Sequence, residues 1–275
     1  MRLSRTFLAV VCACIAGAPA TALADDAGEM QKMLQNPLAN IRALMTDNFV
    51  AFDTGINDDV SWGLNLQYYH ALYFPDKRFA FLPRLVLPVM GLEPGARVPP
   101  VGQVPGPPTA SRSSGIGDAQ IQLYYAPSIE GNWKYGVGPV VSMPTASKEQ
   151  LEGAQWGGGA GVIITGPLAK KTNLALIVAN VWGNSGKFNT MTIQPIVSYD
   201  LVPGSSLLYN AIWNANWEAS SGDRWTVPLG LSYNKTWDMG GGHGLDFVIG
   251  PYYNVVRPDG SARWQINSSI NWLFP

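Results

Sequence analysis

Few residues in this chain could carry acid–base, nucleophilic or metal chemistry. His70 and His243 are its two histidines. A hydrolase or acyltransferase would need such a base beside a serine, with a third group orienting the ring. Neither histidine has a recognisable serine motif nearby, and no Gly-x-Ser-x-Gly elbow occurs. His70 shares the parity of Trp62, Leu64, Leu66 and Tyr68, an apolar face, while His243 sits in the turn-like run Gly240-Gly241-Gly242-His243-Gly244. No enzyme is expected, although triads assemble in space rather than in sequence. Histidines in unrelated settings predict no metal site. Trp156-Gly157-Gly158-Gly159-Ala160-Gly161 lacks the Lys-Ser/Thr ending of a phosphate loop and is not followed by a helix pattern. It reads better as small residues packed against other groups, and no cofactor is expected.

The cysteines, Cys12 and Cys14, both lie in a predicted secretory leader, residues 1–24. Arg2 and Arg5 supply its positive region, Phe7 to Ala18 the apolar stretch, and Ala22-Leu23-Ala24 the cleavage site. The mature chain would then have no thiol chemistry. Loss of those two arginines takes the net charge from −1 to −3, which argues against nucleic acid as a partner. Charged residues are 13% of the chain, against about 25% in ordinary soluble domains. No apolar run after the leader reaches the 18 or more residues of a membrane helix.

From Ser61 the chain divides into strand-like segments separated by Gly, Pro, Asn and Asp. They are placed at 61–72, 79–90, 116–126, 133–143, 154–165, 173–183, 190–201, 206–218, 224–237, 244–256 and 262–274. In 224–237, Trp225, Val227, Leu229, Leu231, Tyr233 and Trp237 alternate with Arg224, Thr226, Ser232, Asn234 and Thr236. The last segment alternates in the same way, its polar face running Arg263, Gln265, Asn267, Ser269 and Asn271. Outer-membrane barrels have even strand numbers, so a looser twelfth strand is placed at Thr46–Thr54.

The fold expected is therefore all-β, a transmembrane antiparallel up-and-down barrel of about twelve strands over residues 46–275, in the outer membrane. Both termini then lie in the periplasm, and the long Pro/Gly-rich connection Gly91 to Gly115 faces outward. Tryptophans support this. Trp62, Trp156, Trp182, Trp217, Trp225 and Trp264 fall near external strand ends and Trp133, Trp237 and Trp272 near periplasmic ones, leaving Trp213 deeper. Residues 25–45 differ: Met30, Met33, Leu34, Leu38, Ile41 and Met45 recur at helical spacing, interrupted by Pro37. Two readings stay open for them, a periplasmic helical tether or a plug inside the barrel.

The elements position a lumen-facing set: Asn65, Gln67, Arg84, Gln120, Gln122, Gln194, Asn214, Asn216, Glu218, Arg224, Gln265 and Asn267. This lining is amide-rich and charge-poor, unlike the charged rings of ion-selective pores. It fits either a packed lumen or a passage for small, weakly polar solutes. Trp217 and Trp225 are expected to meet across an external hairpin, and Glu218 and Arg224 to form an ion pair at the mouth.

Several motifs resemble one family. They are Gly115-Ile116-Gly117-Asp118, Gly138-Pro139, Pro144-Thr145-Ala146, Asn180-Val181-Trp182, Gln194-Pro195, and the run Asn216-Trp217-Glu218-Ala219 through Gly222-Asp223-Arg224-Trp225-Thr226-Val227-Pro228-Leu229-Gly230. Tyr252-Tyr253-Asn254-Val255, Arg257-Pro258, Trp264-Gln265 and Leu273-Phe274-Pro275 follow. Over about residues 115–275 the chain resembles the proteobacterial outer-membrane family of meta-pathway phenol-degradation proteins, also labelled "transporter" or neuromedin U. The resemblance implies uptake of aromatic or other hydrophobic compounds and supplies no catalytic residues.

The function expected is passive diffusion of small hydrophobic or aromatic solutes through the barrel. Its partners would be outer-membrane lipid, the solute and the barrel-assembly machinery. A non-conducting barrel, an outer-membrane lipid-modifying enzyme using His70, and a soluble periplasmic β-sandwich remain as alternatives.

Overall fold

Alternation of apolar and polar residues gives each strand one face for lipid and one for an interior, and closure removes the unpaired edge. The computed structural model describes residues 24–74, 76, 78–96, 111–128, 130–183 and 188–275. Twelve antiparallel strands form a closed barrel. They are β1 (Arg42–Thr54), β2 (Asp59–His70, continued by Leu72–Phe74), β3 (Phe79–Leu92), β4 (Ser113–Ile116 and Ala119–Ala126), β5 (Lys134–Met143) and β6 (Gly157–Ala169). Then come β7 (Thr172–Gly183), β8 (Asn189–Val202), β9 (Ser205–Asn210 and Trp213–Asn216), β10 (Trp225–Gly230 and Ser232–Gly240), β11 (His243–Val256) and β12 (Trp264–Phe274). Neighbours in sequence pair throughout, and β1 closes on β12 from Arg42↔Phe274 to Phe52↔Trp264.

Both ends of the barrel chain, Arg42 and Phe274, lie at one rim. The tight turns Lys170–Lys171, Pro203–Gly204 and Gly241–Gly242 share that rim, whereas the connections between β3 and β4 and between β5 and β6 leave the other. Short turns belong to the periplasmic side of such barrels, which fixes the orientation. Of the long connection expected at Gly91 to Gly115, residues 97–110 lie outside the described residues, as do residues 1–23 of the predicted leader.

The outward face is largely apolar, with a small polar patch of Thr46, Asn48 and Ser268 where β1 meets β12. Leu66, Leu85, Ile121, Val162, Leu229 and Ile270 are among the exposed large side chains. At the rims Trp156 is 58% exposed and Trp182 53%. A face of that extent would be an aggregation surface in water, whereas hydrocarbon covers it at no such cost. No helix among the described residues is long and apolar enough to cross a membrane.

β1 starts at Arg42, four residues before the expected Thr46. Ile41 and Met45 fit a strand period as well as a helical one, and Ala43 and Leu44 pair with Leu273 and Trp272 of β12. Pairing therefore decided a boundary that spacing left ambiguous. The helical segment is correspondingly shorter, one helix α1 (Ala24–Leu34). Pro37 follows three residues later in an irregular stretch. There Asn36 closes a local turn, its Oδ1 accepting the Leu38 N–H at 2.9 Å.

The ladder is broken in one place between β9 and β10. Pairing holds from Ser205↔Lys235 to Leu208↔Ser232 and again at Asn214↔Thr226 and Ala215↔Trp225, but not between. Pro228 has no N–H to give there. Side chains close the gap instead. Tyr209 Oη donates to Pro228 O at 2.7 Å, and Tyr252 Oη accepts the Asn210 N–H at 3.2 Å while bonding Ser232 Oγ at 3.0 Å.

Candidate functional site: the barrel lumen

The lumen is built in three levels. At the periplasmic level α1 and residues 35–41 lie inside the barrel and form a floor. Met30, Leu34, Leu38 and Ile41 pack with Tyr69, Leu82, Tyr124, Ile163 and Ile177 of the wall. Leu38 is 1% exposed. Polar groups tie the segment down as well. Gln31 Nε2 donates to Asp200 Oδ1 at 3.0 Å, and Gln35 Nε2 to Ser206 Oγ at 2.8 Å and Asn234 Oδ1 at 3.2 Å. Tyr69 Oη donates to the carbonyls of Pro37 and Ala39, and Tyr73 Oη to that of Leu38. Methionines and leucines at helical spacing thus bury a face against the inside of the barrel, the position a plug would take.

Above the floor lies a belt of amides with a few charges. Arg84 Nε and Nη2 both donate to Gln67 Oε1, at 2.9 and 2.5 Å. Gln67 Nε2 in turn donates to Asp47 Oδ2 at 2.5 Å, and Ser269 Oγ to Asp47 Oδ1 at 3.1 Å. Gln122 Oε1 accepts from Tyr124 Oη at 3.2 Å and from Arg84 Nη1 at 3.4 Å. Across the lumen Asp246 accepts from Asn234, Thr236 (2.7 Å) and Asn271 (2.8 Å). Gln194 Nε2 donates to Asn210 Oδ1 at 2.8 Å.

Three adjoining cavities run through these levels. One of about 90 Å³ rests on the plug, bounded below by Leu34, Ile41 and Met45 and at the side by Arg84, Tyr124 and Ile177. A second, about 40 Å³, extends outward past Phe49, Asn214, Thr226 and Gln265. A third, about 20 Å³, lies between Arg84, Gln122 and Ile212. Gln194 borders all three.

The glycines of β6 have their role here. A Cβ on Gly161 would come within 2.8 Å of Tyr124 Oη and 3.0 Å of its ring. Glycine lets that tyrosine lie against the wall rather than across the cavity. Gly161 is therefore a close-packing position, as are Gly157 and Gly159, where an added Cβ would also meet neighbouring atoms.

At the external level loops fold over the mouth. Phe49, Met90 and Leu92 of the wall pack with Ala96, Leu151 and Ala262 from three connections. Asp118 is fully buried and accepts the N–H groups of Ala146 (3.1 Å), Gly153 (2.8 Å) and Gln155 (2.7 Å). Thr145 Oγ1 donates to Gly117 O at 2.9 Å and accepts the Ala119 N–H at 2.8 Å. The Gly115–Asp118 and Pro144–Ala146 motifs therefore meet in one clamp.

Of the expected lumen residues, Gln67, Arg84, Gln122, Gln194, Asn214, Gln265 and Asn267 border the cavities. Asn65 and Gln120 face inward and are buried away from them. Asn216, Glu218 and Arg224 sit at the external hairpin, where Asn216 Oδ1 accepts the Glu218 N–H at 3.1 Å and Glu218 is exposed. Trp217 and Trp225 meet edge to face at 5.8 Å, as expected. The ion pair does not form. A short 3₁₀ turn, Ser221–Asp223, leaves Arg224 in helical backbone, and its guanidinium lies 5.5 Å from the Trp217 ring centre instead. Parity carried across a non-extended turn misplaced it.

Asn210, Asn234 and Asn271 lie on polar strand faces legible in the sequence but outside the expected lumen set, and Asp47 and Asp246 are further additions to it, although Asp246 shares the parity of the inward Asn254 and was open to the same reasoning. His70 lies edge-on to Tyr68 on the outer face, and His243 Nδ1 accepts from Trp272 Nε1 at 3.4 Å. Among the described residues no group of three His, Cys, Asp or Glu is placed to hold a metal.

No family model and no curated protein matches the chain. Among solved structures it is similar to the COG4313 outer membrane channel from Pseudomonas putida F1. The identity is 16%, with 94% of this chain and 100% of that one covered, at a TM-score of 0.58. It is also similar to the NanC porin, at 10% identity, 85% and 99% coverage and a TM-score of 0.51. The chain has the fold of an outer-membrane β-barrel. Together with its apolar outer face, that fold places it in the outer membrane.

Proposed function

We propose that the chain is an outer-membrane channel that passes small, weakly polar solutes, hydrophobic or aromatic, by passive diffusion. The observation that carries this is the luminal space itself: a polar belt of amides with a few hydrogen-bonded charges above an apolar floor, inside a wall whose outer face suits lipid. Such a surface solvates a ring with one polar substituent better than a bare inorganic ion. The plug is joined to the wall covalently only through β1, and otherwise it is held by non-covalent contacts that can be exchanged. Passage then requires residues 25–41 to shift, which makes them the gate.

The motif resemblance supports aromatic compounds of the phenol meta-pathway as the solutes, and the fold of the two similar structures supports a channel. Partners under this reading are outer-membrane lipid around the apolar face and the barrel-assembly machinery that inserts it. Transport without catalysis is part of the proposal, since His70 faces outward and His243 is engaged with Trp272.

The plug equally favours a second reading, a barrel that never conducts. Liposome swelling separates the two. Phenyl glucoside, an aromatic solute too polar to cross lipid, should enter liposomes carrying a barrel lacking residues 25–41 at least tenfold faster than those carrying the full mature chain. A plug-free barrel that folds, shown by heat-modifiable gel migration, and still admits nothing would establish the non-conducting reading.

A further inference from the structure

The large cavity holds one guanidinium whose bonding is incomplete. Arg84 Nε and Nη2 present one edge to Gln67 Oε1. The other edge, Nη1 with the second N–H of Nη2, meets only the Gln122 amide oxygen, at 3.4 Å. Arginine carries five donors in a planar fork, and the free edge of that fork matches two carboxylate oxygens. Among the described residues no carboxylate lies within 4 Å of Arg84. The acids of the lumen are occupied elsewhere. Asp47 is held by Gln67 and Ser269, and Asp246 by Asn234, Thr236 and Asn271.

Arg84 also stands where the belt meets the floor. The same cavity it borders is closed below by Leu34, Ile41 and Met45. A cation on one wall and hydrocarbon beneath it suit a molecule with an anionic head and an apolar body.

We infer that Arg84 is the head-group anchor of a luminal binding site for small amphipathic carboxylates, an aromatic or short aliphatic acid with its carboxylate on the free guanidinium edge and its body on the plug. The site rests on the channel reading and narrows its solute class. It also links cargo to gate, because the body of the bound acid touches Leu34 and Ile41 of the segment that must shift.

Calorimetric titration of the detergent-solubilised mature chain with benzoate, benzyl alcohol and benzylammonium tests it, since the three share a ring and differ in head group. Benzoate should bind at least tenfold more tightly than the other two. Arg84→Gln should remove that preference while leaving benzyl alcohol unchanged, and Arg84→Lys, which keeps the charge and loses the fork, should retain part of it. Heat-modifiable migration reports whether each variant is folded. Equal binding of the three ligands, or a benzoate preference that survives Arg84→Gln, would overturn the assignment. Tighter binding of benzylammonium, lost in Asp47→Asn, would overturn it in favour of a cationic head group. None of these outcomes touches the channel reading, which the plug-free swelling experiment decides separately.

Discussion

Asp118 accepts three backbone N–H groups from a loop 28 to 37 residues further along the chain. One buried carboxylate therefore sets the shape of the external mouth. Bonds to a charged acceptor contribute roughly 1.5–3 kcal/mol each, less where water competes. Replacing Asp118 by Ala should release residues 144–156, so that trypsin cuts at the exposed Lys148 at least tenfold faster on intact cells. An unchanged rate would mean that the apolar contact of Leu151 with Met90 holds the loop by itself. At this scale much of the lumen was legible, because parity along a strand needs no knowledge of the fold. Gln67, Arg84 and Gln194 follow from it directly. The pairing of Asp118 with the Pro144–Ala146 segment was not legible, since two motifs in separate strands carry no mark that they touch.

At the level of elements, the weak place in the wall is the β9–β10 junction. Tyr252, 1% exposed, substitutes for missing ladder bonds by contacting both Asn210 and Ser232. Tyr252→Phe keeps the ring and removes both bonds, at a cost of about 1–2 kcal/mol. The temperature at which the barrel loses its heat-modifiable gel mobility should fall, whereas Tyr253→Phe, on the outer face, should leave it unchanged. Equal effects would show that the junction does not depend on the hydroxyl. Pro228 in an otherwise well-patterned strand was the sequence's sign of this break. Residues 25–45 were harder. Amphipathic spacing says that one face must be buried and does not say against what. A periplasmic helical tether and a plug lying in a lumen can carry the same Met30, Leu34 and Leu38 at helical spacing. The distinction is made by partners distant in sequence, such as Asp200, Ser206 and Asn234, which only the closed barrel brings round.

For the whole molecule, the membrane fold was the most legible property, because it is written in every strand: low charge, two-sided alternation and tryptophans at the ends. Function was less so. A barrel wall says where a protein resides, while passage depends on what fills the lumen, and that is a matter of three-dimensional packing. Gating of a conducting lumen by the plug can be measured directly, because residues 25–275 contain no cysteine. Gln31 and Asp200 touch at 3.0 Å, so Gln31→Cys and Asp200→Cys can be joined by a short cleavable bis-thiol linker. Planar-bilayer conductance is then recorded on the same barrels before and after cleavage. Linked barrels should be silent, and cleavage should produce openings that approach, in size, those of the barrel lacking residues 25–41. Conductance that is the same with the plug tethered and released would contradict the account, as would silence in all three forms.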